Sequence, residues 1–246
     1  MDINYRLELM YDGSAFSGWQ RQKNAKTICG EIEKALKTIT KEDVELCGVS
    51  RTDAGVHANE YVANFFLNSD FPPEKLVCGI NALVPDGISI KKAEKCGNDF
   101  NARFDVKSKT YVYTIDNTPY GNAFLKKYAW HFKYYLDIEA MKKACQSYLG
   151  KHDFSAFMSQ GGTAKTFERT IFDASVSDSE DGIIKFSVTG DGFLYNMVRI
   201  MAGTLVWVGK GAINPEDISD IILSKDRTKA GITAPAHGLM LYKLNY

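Results

Sequence analysis

From Asn4 to Tyr11 the residues alternate, with Tyr5, Leu7, Leu9 and Tyr11 on one side and Asn4, Arg6, Glu8 and Met10 on the other, and the run ends at Asp12-Gly13. A period of two places these sets on opposite faces of a strand, so the chain opens with a half-buried strand closed by a turn. The period then changes. Ile28, Ile32, Ala35, Leu36 and Ile39 recur at helical spacing behind Thr27, whose hydroxyl suits a helix N-cap. This succession of strand, turn and helix requires layers of helix and sheet around a common core.

The same grammar continues. Leu46 to Val49 reads as a short strand and Tyr61 to Leu67 as another, with a loop between them. Pro72-Pro73 opens a helix carrying Leu76, Ile80 and Leu83, which stops before Pro85, and Gly87-Ile88 begins a further strand. The pattern restarts with an alternating strand through Tyr111, Tyr113 and Ile115. Asp137 then caps a helix bearing Met141, Ala144, Cys145, Tyr148 and Leu149, closed by Gly150. Ile184, Phe186 and Val188 form a strand, followed by Gly190-Asp191-Gly192 and an apolar helix from Tyr195 to Val208. Asn214-Pro215 suits the start of a short helix through Ile221 and Ile222, and Leu239, Leu241 and Leu244 end the chain as a strand.

Two internal echoes stand out: residues 98–115 parallel 152–171, and LMYDGSAF (9–16) parallels VTGDGFLY (188–195). They predict an α+β fold of two similar lobes, residues 1–105 and 106–246, whose antiparallel or mixed sheets join across a central cleft. Such a cleft is where a ligand is most easily desolvated.

Several function classes drop out on composition. No apolar run reaches the roughly 18 residues of a membrane span, and the charged, alternating N-terminus is not that of a signal peptide. Cysteines 29, 47, 78, 96 and 145 include no CxxC pair, and histidines 57, 131, 152 and 237 are far apart; this favours reduced thiols in a cytoplasmic protein over a disulfide framework or a metal site. GSAFSG and GKG are not phosphate-binding glycine loops, so no nucleotide cofactor is expected. The net charge of zero hides an asymmetry, 13 Lys/Arg against 16 Asp/Glu in residues 1–105 and 17 against 14 in 106–246. The total therefore does not report the sign of any one face.

Against this background GVSRTDAGVHANEYVANF (48–65) is unusual, because it concentrates Arg51, Thr52 and Asp53 on a glycine-containing loop between two strand-like runs. Read locally, Asp53-Ala54-Gly55 is either a turn or a charged loop built for chemistry. The chain as a whole resembles the tRNA pseudouridine synthase A (TruA) family. YDGSAFSGWQRQ (11–22), the RTDAGVHA run, INALVPDGI (80–88), FNARFDVKSKTYVYTI (100–115), LGKHDFSAF (149–157), FLYNMVRIMAGTLVWVG (193–209) and KDRTKAGITAPAHGLMLYKLNY (225–246) are similar to that family's blocks in the family's order. The departures are Ser50 where the family has Gly, Val84 where Leu is usual, and Cys29-Gly30 in place of Gln-Glu.

The resemblance implies the pseudouridine synthase fold and isomerisation of uridine to pseudouridine at positions 38, 39 and 40 of the tRNA anticodon stem-loop. It implies a homodimer and no cofactor or metal. Asp53 takes the place of the nucleophile, attacking C1′ or acting through a glycal route, with attack at the base also open. Tyr111 takes that of the tyrosine stacked on the flipped base, with Tyr113 as its competitor on the same strand face. Arg199 corresponds to an arginine paired with the aspartate; Arg51 is a candidate to orient the loop or bind phosphate, and Arg103 to grip backbone phosphate or help open the stem. His57 completes the motif and reads as structural. Two alternatives share these residues: a paralogue acting on another RNA, separable by product mapping, and a non-catalytic RNA-binding module, which would bind RNA and yield no product.

Overall fold

The computed structural model describes residues 2–246. Its elements run β1 (Ile3–Tyr11), α1 (Ile28–Thr40), β2 (Cys47–Gly48), β3 (His57–Leu67), α2 (Pro73–Leu83), β4 (Ile88–Lys95), β5 (Ser108–Asp116) and β6 (Trp130–His131). They continue with α3 (Ile138–Gln146), β7 (Gly150–Asp153), β8 (Glu168–Asp178), β9 (Ile183–Gly190), α4 (Met197–Gly209), α5 (Asp217–Ser224) and β10 (Leu239–Asn245). The fold is α+β, and the chain forms two compact units, Met1–Lys107 with Leu241–Tyr246, and Ser108–Met240.

In the first unit β1 lies between β4 and β3, antiparallel to both, and β2 and β10 flank β3 on its other side. Tyr5 faces Phe65 across the ladder and their rings stack at 5.6 Å, while Leu7 meets Ala63 and Leu9 meets Tyr61. Ile28, Ile32 and Leu36 of α1 and Leu76 and Ile80 of α2 are also buried, each side chain contributing about 1.5–3 kcal/mol. Thr27 accepts a hydrogen bond from Gly30 N–H at 3.3 Å, which fixes the start of α1 where the sequence predicts it.

The other face of β1 departs from the simple alternation. Asn4 is fully buried, donating to Gly97 O and Phe100 O at 2.9 Å each and accepting from Asn64 Nδ2 at 3.1 Å. Asn64 Oδ1 in turn accepts from Ala102 N–H at 2.9 Å. This buried amide pair satisfies the backbone of residues 97–102 and so holds the segment that leads to Arg103.

Residues 241–246 belong to the first unit, whereas the division at 105/106 assigns them to the second. The reason is hydrogen bonding along β10. Asn59 Nδ2 donates to Tyr242 O at 3.1 Å, Leu244 N–H to Glu60 at 3.1 Å, Lys107 N–H to Asn245 O at 2.8 Å, and the Tyr246 hydroxyl to Ala102 O at 2.7 Å.

In the second unit the order is β5-β9-β8-β7, antiparallel throughout, with β6 running parallel to β5. Tyr111 pairs with Val188, Tyr113 with Phe186 and Ile115 with Ile184. Helix α4 is buried around most of its circumference, as its nearly continuous apolar sequence requires. The segment after α5 packs against it so closely that a Cβ at Gly203 would stand 1.9 Å from Ile232 O. Thr204 accepts from Gly231 N–H at 2.9 Å, tying the same segment to the helix. Three helix boundaries differ from the sequence reading, α4 beginning at Met197 rather than Tyr195. Helix α3 ends at Gln146, before Tyr148, and α5 begins at Asp217 because Asn214-Pro215 forms a turn in which Asp217 N–H donates to Asn214 O.

Candidate active site

Asp53 lies on the loop between β2 and β3, on the first unit. The loop's backbone is held at several points. Val49 N–H donates to Val62 O at 2.9 Å, Trp19 N–H to Thr52 O at 3.1 Å, and Val56 N–H to Asp53 O at 3.2 Å. The hydroxyls of Tyr11 and Thr52 are 2.7 Å apart, and the Tyr61 hydroxyl donates to Ser50 O while Ser50 N–H approaches its oxygen at 3.4 Å. Thr52 is buried, Arg51 is exposed, and Asp53 between Thr52 and Ala54 is half-buried. Buried neighbours thus anchor a carboxylate that retains access to solvent.

The YDGSAFSGWQ segment forms the floor of this loop. Tyr11, Trp19 and Tyr61 make a buried aromatic cluster, with Trp19 stacked on Tyr61 at 4.1 Å and Tyr11 tilted against it at 5.4 Å. Gly13 is required by close approach, since a Cβ there would stand 2.0 Å from Val56 O. Gly55 turns the chain at φ 81°, a conformation open to glycine. Ser50, which stands where the family has Gly, does not adopt a positive φ, so its Cβ is accommodated without strain.

His57 is buried and accepts from Gly13 N–H through Nδ1 at 3.1 Å, with Asp12 Oδ1 3.2 Å from the same nitrogen. It braces the Asp12-Gly13 turn, in keeping with a structural role. Arg103 is exposed, its backbone N–H held by Asn101 Oδ1 at 2.9 Å and its guanidinium 5.8 Å from the ring of Phe104, itself 77% exposed. A cation beside an open aromatic ring suits contact with phosphate and base.

Tyr111 and Arg199 lie on the second unit. Tyr111 is buried, 6% exposed, and meets Phe193 edge-on at 5.2 Å. Tyr113 is fully buried; its hydroxyl donates to Pro235 O at 2.8 Å, and burial drives its pKa far above the usual phenol value, partly offset by the charge of Arg199. It supports the strand and offers a ligand no surface. Arg199 is half-buried, donating from Nε to Ala234 O and from Nη1 to Asn196 Oδ1, both at 2.8 Å. Ala234 N–H returns a bond to Arg199 O at 3.1 Å. Asn196 sits at φ 62° before α4 and also donates to Ser159 Oγ at 2.9 Å.

Sequence reasoning passed over four of these contributors: the Tyr61 hydroxyl, the Trp19 backbone, Asn196 and the Ala234-Pro235 segment. Tyr11 and Tyr61 carried a signal, because a tyrosine on a buried strand face needs a partner for its hydroxyl. Among the described residues no group of three or more His, Cys, Asp or Glu side chains is placed to hold a metal ion.

A carboxylate on a braced loop, set on one of two α+β units with antiparallel sheets, suits an enzyme that attacks an electrophilic carbon or stabilises positive charge beside it. The profile of the family described as tRNA pseudouridine synthase matches residues 9–105 and 144–246. The chain is 49% identical to the tRNA pseudouridine synthase A of Acetivibrio thermocellus over 243 residues, 99% of each chain. It is 50% identical over 248 residues to the tRNA pseudouridine synthase A 2 of Clostridium tetani, covering 100% of both, and 48% identical to the protein of the same name from Clostridium perfringens, covering 99% of both. The chain belongs to the tRNA pseudouridine synthase A (TruA) family, enzymes that isomerise uridine to pseudouridine.

Proposed function

We propose that this enzyme modifies positions 38, 39 and 40 of the tRNA anticodon stem-loop, with Asp53 as its nucleophile. The observation that carries the assignment of Asp53 is the loop itself: residues 49, 50, 52 and 56 are each tied down, and the carboxylate between them is half-open. The reaction breaks the N1–C1′ bond of uridine, turns the uracil and joins C5 to C1′; the C5 proton is lost and N1 regains one. An ionised carboxylate either attacks C1′ as the uracil leaves through N1, to be displaced when C5 bonds to C1′, or takes the C2′ proton as the uracil leaves along a glycal route and returns it when C5 bonds to C1′.

In this reading Arg199 takes the place of the family's active-site arginine, its guanidinium held by Asn196 and Ala234. Tyr111 stacks on the flipped base, and Arg51 and Arg103, both exposed, contact phosphate. The working unit is a homodimer. Tyr120, Phe124 and Tyr135 support this, exposed to 96%, 89% and 83%, since a second copy would cover them. The reading places the enzyme in the cytoplasm with its five thiols reduced.

The test is to incubate the purified protein with unmodified tRNA and a chelator and to map pseudouridine at single-base resolution, beside Asp53→Asn. Product is expected at positions 38 to 40 from the wild type. The variant should still bind tRNA but turn over at least about a hundredfold more slowly, because the charge is lost and the shape is kept. Full activity of Asp53→Asn would remove the nucleophile assignment. Product confined to another RNA would keep the chemistry and replace the substrate, and tRNA binding with no product from the wild type would favour a binding module.

A further inference from the structure

We infer that Tyr61 is a positioning residue for Asp53, acting through the backbone of Ser50; this rests on the reading of Asp53 as nucleophile. Tyr61 stands on β3, beyond the Asp53 loop, and is 1% exposed. Its hydroxyl turns back to the start of the loop, donating to Ser50 O and facing Ser50 N–H at 3.4 Å. One phenol thus engages both backbone groups of a residue three positions before the carboxylate.

The phenol has little freedom to move. Its ring is stacked on Trp19 at 4.1 Å with an interplanar angle of 27° and meets Tyr11 at 5.4 Å. On the remaining side Gly48 leaves room for it, since a Cβ there would stand 2.4 Å from the Tyr61 oxygen and 2.5 Å from Trp19 Cε2. The same cluster reaches Thr52 through Trp19 N–H and the Tyr11 hydroxyl. The residues at 50 and 52 are therefore referred to one rigid aromatic body, and Asp53 follows from them.

A core phenylalanine would fill the same space and keep the stacking. What the hydroxyl adds is a fixed position for the Ser50 peptide groups, so its removal should appear in the chemical step more than in folding. A displacement of about 1 Å at a reacting group can cost about a hundredfold in rate.

Tyr61→Phe should be compared with the wild type and Asp53→Asn in single-turnover pseudouridine formation at saturating enzyme, each at least about 15 °C below its own melting temperature so that all are folded. The expected result for Tyr61→Phe is a rate lower by about tenfold, with tRNA affinity within about twofold of wild type. A rate within twofold of wild type, beside an inactive Asp53→Asn, would overturn the inference alone. A rate loss matched by an equal loss of tRNA affinity would also overturn it, since that marks a general disturbance of the binding surface. Undiminished turnover by Asp53→Asn would overturn the reading of Asp53 and this inference with it.

Discussion

Gly18 lies directly beneath Thr52: a Cβ on it would stand 2.5 Å from Thr52 O and 3.1 Å from the carbonyl carbon of Asp53, and its φ is +85°. The glycine thus serves two needs, a left-handed turn and close approach to the Asp53 loop. Gly18→Ala is expected to cost about 1–3 kcal/mol and to lower turnover at least about tenfold, because the methyl pushes on the loop backbone. Gly211→Ala is the control. At φ +77° it carries the same backbone cost, but nothing lies within 4 Å of its Cβ, so activity should be retained. Thermal unfolding and single-turnover rates of the two variants check this; equal activity in both would separate Gly18 from the site.

Arg199→Leu should destabilise the second unit by about 1–3 kcal/mol, because Ala234 O and Asn196 Oδ1 each lose a charged donor in a half-buried setting. It should also abolish turnover. Arg199→Lys retains the charge but cannot reproduce both 2.8 Å contacts from one planar group, so it should recover more stability than activity. Urea unfolding and product formation measure the two effects, and near-wild-type turnover by the leucine variant would end the assignment.

Replacing Tyr111 by Phe keeps the edge contact with Phe193 at 5.2 Å, whereas replacing it by Ala empties a site that is 6% exposed and should cost about 3–5 kcal/mol. Phe should therefore retain more tRNA binding than Ala, measured by filter retention at fixed salt. Equal loss in the two would mean that the ring does not meet a base.

Asp116, at the end of β5, ties down the segment that follows. Burial alone would raise its pKa. Hydrogen bonds from the Thr118 hydroxyl at 2.6 Å, Asn122 N–H at 2.6 Å and Thr118 N–H at 3.1 Å, with His131 nearby, outweigh this and hold the carboxyl below the usual range. A folded-state pKa below the unfolded value means that the stabilisation is complete above about pH 4 and is lost as pH falls through the folded value. Asp116→Asn should cost about 1–3 kcal/mol at pH 7, and the gap from wild type should close on acidification. A gap independent of pH in chemical unfolding would show that the charge is not what matters.

Much of the fold is written in local periodicity. The alternation of Tyr5, Leu7, Leu9 and Tyr11, the Thr27 cap and the proline start of α2 each appear where the sequence puts them. Strand β8 is less legible because a register shift between Ile171 and Asp173 breaks its period of two, so that Ile171, Ala174 and Val176 do not alternate evenly. Asn4 occupies a polar position in a clean alternating run, and nothing local says that Asn64, Gly97 and Phe100 will bury it.

The sequence by itself determined the α+β alternation and, through ordered motifs, the family and the candidates Asp53, Tyr111, Arg199, Arg51 and Arg103. Only the tertiary structure decided what holds those side chains. Tyr61 reaches Ser50 across 11 residues, Arg199 reaches Ala234 across 35, and Tyr113 reaches Pro235 across 122. Short-range patterns report which face of an element is apolar, because burial repeats with the period of the helix or strand. A hydroxyl or guanidinium that satisfies a distant backbone group has no such period, and its partner is fixed only when the chain is packed.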